Sequence, residues 1–203
     1  MKISEIFWSV QGEGLRIGEP TIFIRLTGCN LQCEFCDTKY AWEGGIEVKV
    51  ETILNTVRNL KEKHNTEWIC LTGGEPLIQD IRTLVHQLKS ENFKIQIETN
   101  GTRYIDIPVD WYSLSPKPEE YFYQPKYKGI AKEVKLIVIR NLKSENIIRI
   151  RKEFPKKIPL FLQPCSNQSW SYALARKLLQ ECIEKGFSNI RLGLQLHRIY
   201  KIK

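Results

Sequence analysis

Residues 21–38 read TIFIRLTGCNLQCEFCDT, a strand-like run followed at once by three cysteines. The β-branched residues of TIFIRLTG predict a strand that stops at Gly28. Cys29, Cys33 and Cys36 then follow in the spacing C-x3-C-x2-C. Two thiols would suit a redox dithiol, and four would complete a structural zinc site. Three thiols directly after a strand predict a metal centre with one coordination position left open.

Strand-like and helix-like segments alternate along the rest of the chain. Apolar residues at helical spacing predict helices near 53–60, 81–88, 147–154 and 168–185. Short apolar runs predict strands at 21–28, 68–72, 94–99, 111–115, 134–139, 159–163 and 190–196. This alternation predicts an α/β fold with a mainly parallel sheet covered by helices. Since a closed eight-stranded barrel needs about 250 residues, we expect an incomplete barrel, with a doubly wound sheet as the alternative.

The sequence shows no internal repeat or low-complexity linker, so we expect one domain over residues 1–203. The one long irregular stretch, PKPEEYFYQPKYKG at 116–129, holds three prolines and four aromatic residues. It could be a lid, a dimer contact or a surface loop pinned by its aromatic side chains.

The composition limits the classes of function. The chain is 42% hydrophobic and 27% charged, with a formal net charge of +8. It has no apolar run approaching the roughly 18 residues of a membrane helix, and MKISEIFWSVQGEG lacks the pattern of a signal peptide. We therefore expect a cytoplasmic protein with no membrane partner. The basic residues are spread out and carry no nucleic-acid-binding signature, so no direct nucleic-acid partner is expected. Such a surface would suit an acidic electron donor.

Glycine-rich and polar motifs follow successive predicted strands. They are TGGEP (72–76), ETNGT (98–102), SPK (115–117) and QPCS (163–166). Because the carboxyl ends of parallel strands meet at one edge of a sheet, these motifs are expected to share a site with the three cysteines. The other three cysteines are not predicted to be ligands. Cys70 and Cys182 lie in apolar segments and are expected to be buried structural thiols, and Cys165 follows a predicted strand.

The cysteine spacing, with Phe35 before the last cysteine, and the TGGEP turn together resemble the radical S-adenosylmethionine (SAM) superfamily. The resemblance implies an incomplete (β/α)6-type barrel, a [4Fe–4S] cluster held by Cys29, Cys33 and Cys36, and SAM bound at the open iron. It implies that SAM is contacted by Gly73, Gly74, Glu75, Glu98, Asn100, Ser115, Pro116, Lys117, Gln163, Pro164, Cys165 and Ser166. A plain electron carrier would have no use for TGGEP and normally holds its cluster with four cysteines.

Three further motifs, SVQGEG (9–14), CDT (36–38) and QLHR (195–198), resemble the 7-carboxy-7-deazaguanine synthase family over the whole length. The resemblance implies a ring contraction of 6-carboxy-5,6,7,8-tetrahydropterin with loss of ammonia, a step toward queuosine and other 7-deazapurines. It also implies Mg²⁺ bound at Thr38, an electron donor such as flavodoxin or ferredoxin, and a homodimer.

The same resemblance places the pterin substrate against Val10, Gln11, Gly12, Glu13 and Thr72. Arg25 is a lone arginine inside the apolar run TIFIRLT. A buried arginine needs an anionic partner, and the substrate carboxylate offers one in bidentate geometry. A surface arginine at a strand edge is the alternative.

The cysteines and the glycine turn also suit another class of enzyme. An activating enzyme for a glycyl-radical protein would share the cysteines and GGEP, but it would need a protein-docking face. It would need neither SVQGEG nor a carboxylate site at Arg25.

Overall fold

The computed structural model describes residues 1–118 and 120–203. These residues contain nine β-strands: β1 Lys2–Val10, β2 Pro20–Leu26, β3 Ile46–Glu47, β4 Trp68–Gly73, β5 Lys94–Thr99, β6 Trp111–Leu114, β7 Ala131–Val138, β8 Leu160–Pro164 and β9 Ile190–Leu192. They also contain six α-helices: α1 Val50–His64, α2 Arg82–Ser90, α3 Tyr127–Ile130, α4 Ser144–Glu153, α5 Ser169–Glu184 and α6 Leu196–Tyr200. In this part of the chain, no helix is long and apolar enough to cross a membrane.

The described strands form one sheet in the order β3-β1-β2-β4-β5-β6-β7-β8-β9. β1 is antiparallel to β2 and β3, and every pairing from β2 through β9 is parallel. Each parallel strand is added on the same side of the one before it, as in a barrel, whereas a doubly wound sheet reverses direction. The predicted α/β fold with a mainly parallel, incomplete barrel is confirmed.

Both ends of the chain differ from the predicted elements. β1 was not predicted, because KISEIFWSV mixes polar and apolar residues and is only partly buried. The strand predicted at 190–196 ends at Leu192, and α6 begins at Leu196. Gly193 interrupts it: its backbone N–H bonds Leu162 O at 2.8 Å, and a Cβ there would lie 2.3 Å from Gln163 Oε1.

The segment after β9 turns back toward the antiparallel end of the sheet. Leu196 N–H donates to Gly12 O at 2.9 Å, and the Ser9 hydroxyl donates to Lys203 O at 2.5 Å. Within the described residues the edge strands β3 and β9 do not pair, so the barrel stays open.

The parallel strands have two different faces. In β5, Ile95 and Ile97 are fully buried in the apolar core with the helices, while Gln96 and Glu98 point to the opposite face. In β7, Glu133 and Lys135 lie on the same polar face, which is the inner face of the sheet. Burying polar groups is costly unless they are paired, and they are paired here with one another and with the N-terminal loop.

That N-terminal loop, residues 11–19, lies across the inner face of the sheet. Arg16 is 2% exposed, stacks 3.4 Å from the Trp68 ring centroid and donates to Gln96 Oε1. Leu15 N–H donates to Glu133 Oε2 at 2.6 Å. Gly14 has φ +72°, and a Cβ there would collide with the same carboxylate at 2.3 Å, so a side chain is excluded at this position.

The irregular stretch 116–129 is fixed by its aromatic residues. Tyr121, Tyr123 and Tyr127 are buried in the apolar core, and the Tyr127 hydroxyl donates to Arg103 O at 2.7 Å. Phe122 is exposed. Glu119, which belongs to this stretch, lies outside the described residues. The described part matches the pinned surface loop among the predicted alternatives.

Candidate active site at the carboxyl edge of the sheet

A cleft opens at the carboxyl ends of the parallel strands, on the polar face of the sheet. Its cavity volume is about 240 Å³, and it is open to solvent on one side. Most residues predicted from the motifs line it: Val10, Gln11, Gly12, Glu13, Arg25, Cys29, Cys33, Cys36, Thr38, Thr72, Gly73, Gly74, Glu98, Asn100, Ser115, Lys117, Pro164, Cys165 and Ser166. The shared site expected from strand-end motifs therefore exists as one space.

The three cysteines lie on the loop that follows β2, and all three are partly buried. Two backbone N–H groups point at their sulfurs: Leu31 N lies 3.4 Å from Cys29 Sγ, and Thr38 N lies 3.4 Å from Cys36 Sγ. Burial raises the pKa of the Cys29 and Cys33 thiols. Among the described residues, no three His, Cys, Asp or Glu side chains are grouped as ligands of a single metal ion.

The Gly73–Gly74 turn lies directly against the loop that carries the cysteines. Gly73 has φ +138°, and a Cβ there would lie 2.0 Å from Leu26 O; at Gly74 it would lie 2.1 Å from Gly28 O. Only glycines allow this backbone-on-backbone approach. The turn thereby fixes the distance between the end of β4 and the cysteine loop, with both glycines on the cleft wall.

The structure does not bring the side chain of Glu75 to the cleft. Glu75 is fully buried, and its carboxylate accepts hydrogen bonds from Leu77 N (3.1 Å), Thr99 Oγ1 (2.8 Å) and Asn100 N (2.7 Å). Burial raises its pKa despite these donors. The side chain supports the ends of β4 and β5, so a contact between this carboxylate and SAM, as the motif implied, has no support in the geometry.

Pro116 and Gln163 are likewise buried and do not line the cleft. Gln163 donates through Nε2 to Leu194 O at 2.9 Å, and its Oε1 has no partner among the described residues. The neighbours predicted with them, Ser115, Lys117 and Pro164 to Ser166, do reach the cleft.

Lys117 and Ser115 form a polar pair on the cleft wall. Lys117 Nζ donates to Ser115 Oγ at 2.6 Å. Burial lowers the pKa of Lys117, and the positive charge of Lys135 lowers it further. A partly desolvated ammonium beside the cysteine loop favours an anionic group in the cleft.

A buried lysine, Lys135, forms ion pairs with two acidic residues of the cleft. Lys135 Nζ lies 2.8 Å from Glu13 Oε2 and 3.2 Å from Glu98 Oε1. Burial disfavours the charge on Lys135, but Glu13, Glu98 and Glu133 outweigh it and hold the pKa of Lys135 well above its usual value. Gln11 Nε2 donates to Glu98 Oε1 at 3.1 Å. Glu98, assigned to SAM by the resemblance, thus lies with Gln11 and Glu13, which the resemblance assigned to substrate.

Arg25 is partly buried and already has one acidic partner. Its Nε donates to Glu5 Oε1 at 2.8 Å, across the antiparallel register of β1 and β2. The same carboxylate accepts from the Tyr40 hydroxyl at 2.8 Å and from Lys203 Nζ at 2.5 Å. Burial would raise the pKa of Glu5, but these donors lower it overall. In the described residues the terminal Nη1 and Nη2 of Arg25 have no hydrogen-bond partner, and Arg25 neighbours Thr72 in the β2–β4 register.

The segment from Gln195 to Arg198 connects the two sides of the cleft. Gln195 Nε2 lies 3.1 Å from Glu13 Oε1 and 3.5 Å from Asp37 Oδ2, and Arg198 donates to Asp37 Oδ2 at 3.2 Å. The His197 ring packs against Gly12, where a Cβ would lie 2.3 Å from Nδ1. Gln195 and His197 of the QLHR motif therefore line the cleft.

Several cleft residues were not predicted: Phe7, Phe23, Leu31, Phe35, Asp37, Trp42, Thr99, Lys135, Ile137, Gln195, His197 and Lys203. The sequence carried a signal for Lys135, because the reasoning applied to Arg25, a lone cation within an apolar strand, applies equally to VKLIV. Asp37 and His197 stood inside motifs used only for the family resemblance. Phe7 carried no signal, since β1 was not predicted.

Comparisons with known proteins agree with this geometry. A family model described as "Radical SAM superfamily" matches residues 23–152. A 7-carboxy-7-deazaguanine synthase of Rickettsia prowazekii is 35% identical, over 100% of this chain and 89% of its own. One from Aquifex aeolicus is 33% identical, over 99% and 94%. The crystal structure of QueE from Escherichia coli has a TM-score of 0.76 and 29% identity, covering 97% of this chain and 94% of that chain.

Proposed function

The chain belongs to the 7-carboxy-7-deazaguanine synthase family of the radical SAM superfamily, and from this premise we propose that it converts 6-carboxy-5,6,7,8-tetrahydropterin into 7-carboxy-7-deazaguanine with release of ammonia. The observation that carries the proposal is the set of residues that share one cleft. Three cysteines and a glycine turn line it together with Arg25 and the group around Lys135. Such a cleft can bind a cofactor and a polar, carboxylated small molecule together.

Membership in the superfamily implies a [4Fe–4S] cluster and SAM, and the residues present suit both. Cys29, Cys33 and Cys36 would hold the cluster, with the N–H groups of Leu31 and Thr38 directed at two sulfurs. Hydrogen bonds to ligating sulfurs tune the reduction potential of such clusters. When bound, the cluster and SAM supply abstraction of a hydrogen atom.

SAM would lie between the cysteine loop and the later strand ends. Its amino acid part is assigned to the backbone of Gly73 and Gly74, where no side chain holds a ligand away. Further contacts are assigned to Ser115 and Lys117 and to the segment from Pro164 to Ser166. Asn100 lines the same wall, although its side-chain oxygen already accepts from Thr102 N at 2.9 Å.

The chain's own residues would orient the pterin. Val10, Gln11, Gly12 and Glu13 present backbone and side-chain groups that can pair with the donor–acceptor edge of the ring. Arg25 would bind the carboxylate through its terminal nitrogens, next to Thr72. Positioning the ring and excluding water are the contributions the protein makes, while the cofactor carries out the difficult chemistry.

Anaerobic turnover tests this proposal. Reconstituted protein with SAM, a strong reductant and the carboxypterin should form 7-carboxy-7-deazaguanine and one equivalent of ammonia, measured by mass spectrometry and an ammonia assay. Omitting the pterin should leave only slow SAM cleavage. Cleavage of SAM without any product from the carboxypterin would refute the substrate assignment while leaving the superfamily chemistry in place.

We assign a magnesium ion to the cleft beside Thr38. Thr38 Oγ1 donates to Asp37 Oδ1 at 2.9 Å, and both residues line the cleft, so two hard oxygen ligands lie together. Mg²⁺ commonly takes one or two protein oxygens and completes its octahedron with substrate and water, and the substrate carboxylate would suit that role.

Removal of Mg²⁺ by a chelator is expected to lower turnover sharply, and Thr38→Ala should lower the activity or its dependence on Mg²⁺. Thr38→Ser, which keeps the hydroxyl, is the matched control and should stay close to wild type. The measurement is the rate of product formation against free Mg²⁺, with iron content determined in each sample. Identical Mg²⁺ curves for Thr38→Ala and wild type would contradict the assignment.

We propose that residues 1–203 act as one domain, that the protein works as a homodimer and that an acidic flavodoxin or ferredoxin reduces the cluster. The net charge of +8 supports attraction of such a donor. A cytoplasmic location is supported by the six cysteines, all of which are free thiols.

A further inference from the structure

Lys135 occupies a central position on the inner face of the sheet. It lies in β7 and is 3% exposed, and its ammonium reaches two carboxylates carried by separate elements. Glu13 comes from the N-terminal loop, at 2.8 Å, and Glu98 comes from the end of β5, at 3.2 Å. All three side chains line the cleft. One cation therefore joins two acids that are 85 positions apart in the sequence, Glu13 to Glu98.

The two acids depend on this cation. Carboxylates that face each other in a partly desolvated site repel, and one of them takes up a proton when no cation lies between them. Burial opposes ionisation of Glu13, yet its pKa is lowered, and Lys135 is the largest favourable cause. The charged and titratable groups around Lys135 and the two acids are Asp37, Lys117, Glu133 and Cys70, with Arg16 and Arg25 near Cys70.

The strand that carries Lys135 also holds the loop that carries Glu13. Glu133, two residues earlier on the same face, is fully buried. Its carboxylate accepts from Leu15 N at 2.6 Å and from Ser113 Oγ at 2.7 Å. The loop is therefore fixed to β7 at two points, by its backbone at Glu133 and by the Glu13 side chain at Lys135.

We propose that Lys135 is a positioning residue, whose ammonium holds Glu13 and Glu98 together so that both carboxylates face the cleft and accept the N–H donors of the substrate ring. This inference rests on the proposed function for the nature of the substrate. Arginine could keep the charge but not the compact point contact with both acids. A neutral side chain of similar length would leave the pair without a counter-charge.

The first test compares three single variants by the pH dependence of kcat/KM for the carboxypterin. In Lys135→Met, kcat/KM should fall on the order of 100-fold at neutral pH, because one acid of the pair is then protonated and has lost a charge-assisted partner. The acidic limb of the profile should move upward by about one pH unit or more. Lys135→Arg should return the limb toward its wild-type position. Lys132→Met, at an exposed position of the same strand, is the matched control and should leave rate and profile unchanged.

A second variant separates positioning from simple charge balance in the protein interior. Lys135→Met combined with Glu133→Gln restores the net charge of the buried group, and its melting temperature is compared with that of the single variant. The upward shift of the acidic limb should persist, since Glu13 and Glu98 still lack their cation. An unshifted limb in both variants, or a double variant with wild-type kinetics, would overturn the proposal.

A measurement without substrate keeps this inference separate from the proposed function. Infrared difference spectroscopy at neutral pH should show a protonated carboxyl C=O stretch in Lys135→Met that wild-type protein lacks, and the band should disappear when Glu98→Gln is added. Absence of the band would overturn the role of Lys135 even if the protein converts the carboxypterin. Presence of the band in a protein that does not convert the carboxypterin would leave the pair intact and refute the substrate instead.

Discussion

Replacement of Cys33 by alanine is expected to remove the [4Fe–4S] cluster from anaerobically prepared protein and to abolish turnover. The three thiols lie on one loop at the cleft and are the only ligands that the motif offers to the cluster. With two remaining thiolates a cubane has two open irons, and it is lost or degraded. Iron and sulfide analysis, the visible spectrum and SAM cleavage measure the result. Cys29→Ala and Cys36→Ala should behave in the same way.

The chain offers a demanding control in Cys165. This thiol lines the same cleft and is 7% exposed, but the motif does not include it among the ligands. Cys165→Ala should therefore retain a full cluster, as should Cys182→Ala, which alters a buried thiol of α5 away from the cleft. Full cluster occupancy in Cys33→Ala would end the assignment of a radical SAM centre to this loop. Loss of the cluster in Cys165→Ala would instead make Cys165 a fourth ligand.

The parts of the fold that could be predicted are those set by local patterns. β5 was predicted at its observed bounds, because KIQIET alternates polar with β-branched residues and has turn residues on both sides. The shared site followed from topology, since each unusual motif came directly after a parallel strand. β1 was not predicted, because most of its residues are only partly buried and its sequence contains no long apolar run.

The parts of the site that were not predicted from the sequence depend on contacts between residues far apart in the chain. Neither the motif around Glu13 nor VKLIV indicates that Glu13 and Lys135 meet, because that contact arises only when the N-terminal loop crosses the sheet. Glu75 is the converse case. It belongs to a motif that the resemblance assigns to SAM, but its carboxylate accepts a hydrogen bond from the backbone of the next strand end. A motif indicates which loop forms a site, but it does not indicate which side chains of that loop point into the site.

For Arg25, the sequence predicted the need for an anionic partner but not every residue that meets it. The prediction that a lone strand arginine needs an anion was sound in principle, yet the structure provides one that the sequence did not reveal, Glu5 on the antiparallel strand β1. Glu5 occupies only the Nε edge of the guanidinium. Held there, and with Tyr40 fixing the same carboxylate, Arg25 can direct its two terminal nitrogens at a second carboxylate.

Arg25→Ala is expected to lower kcat/KM for the carboxypterin by roughly 10²- to 10⁴-fold. Two charge-assisted hydrogen bonds to the substrate carboxylate contribute about 1.5–3 kcal/mol each, and their loss leaves that carboxylate unpaired in the cleft. Arg25→Lys should recover only part of the rate, because a single ammonium cannot reproduce a two-pronged contact. Tyr40→Phe is the matched control: it removes one donor to Glu5, leaves the guanidinium in place and should cost much less.

A neutral ligand separates recognition of the carboxylate from general damage to the site. The 6-carboxamide analogue of the substrate should inhibit wild type and Arg25→Ala with similar strength, because the amide offers no charge for Arg25 to bind. The carboxylate should bind much more weakly to the variant, and the difference between the two ligands isolates the pairwise interaction. Cluster content and SAM cleavage should stay near wild type, since the Arg25 side chain bonds Glu5 and is assigned neither to the cluster nor to SAM. If the variant loses both ligands equally, or loses its cluster, Arg25 is a structural partner of Glu5, and the substrate carboxylate must be bound by another residue of the cleft.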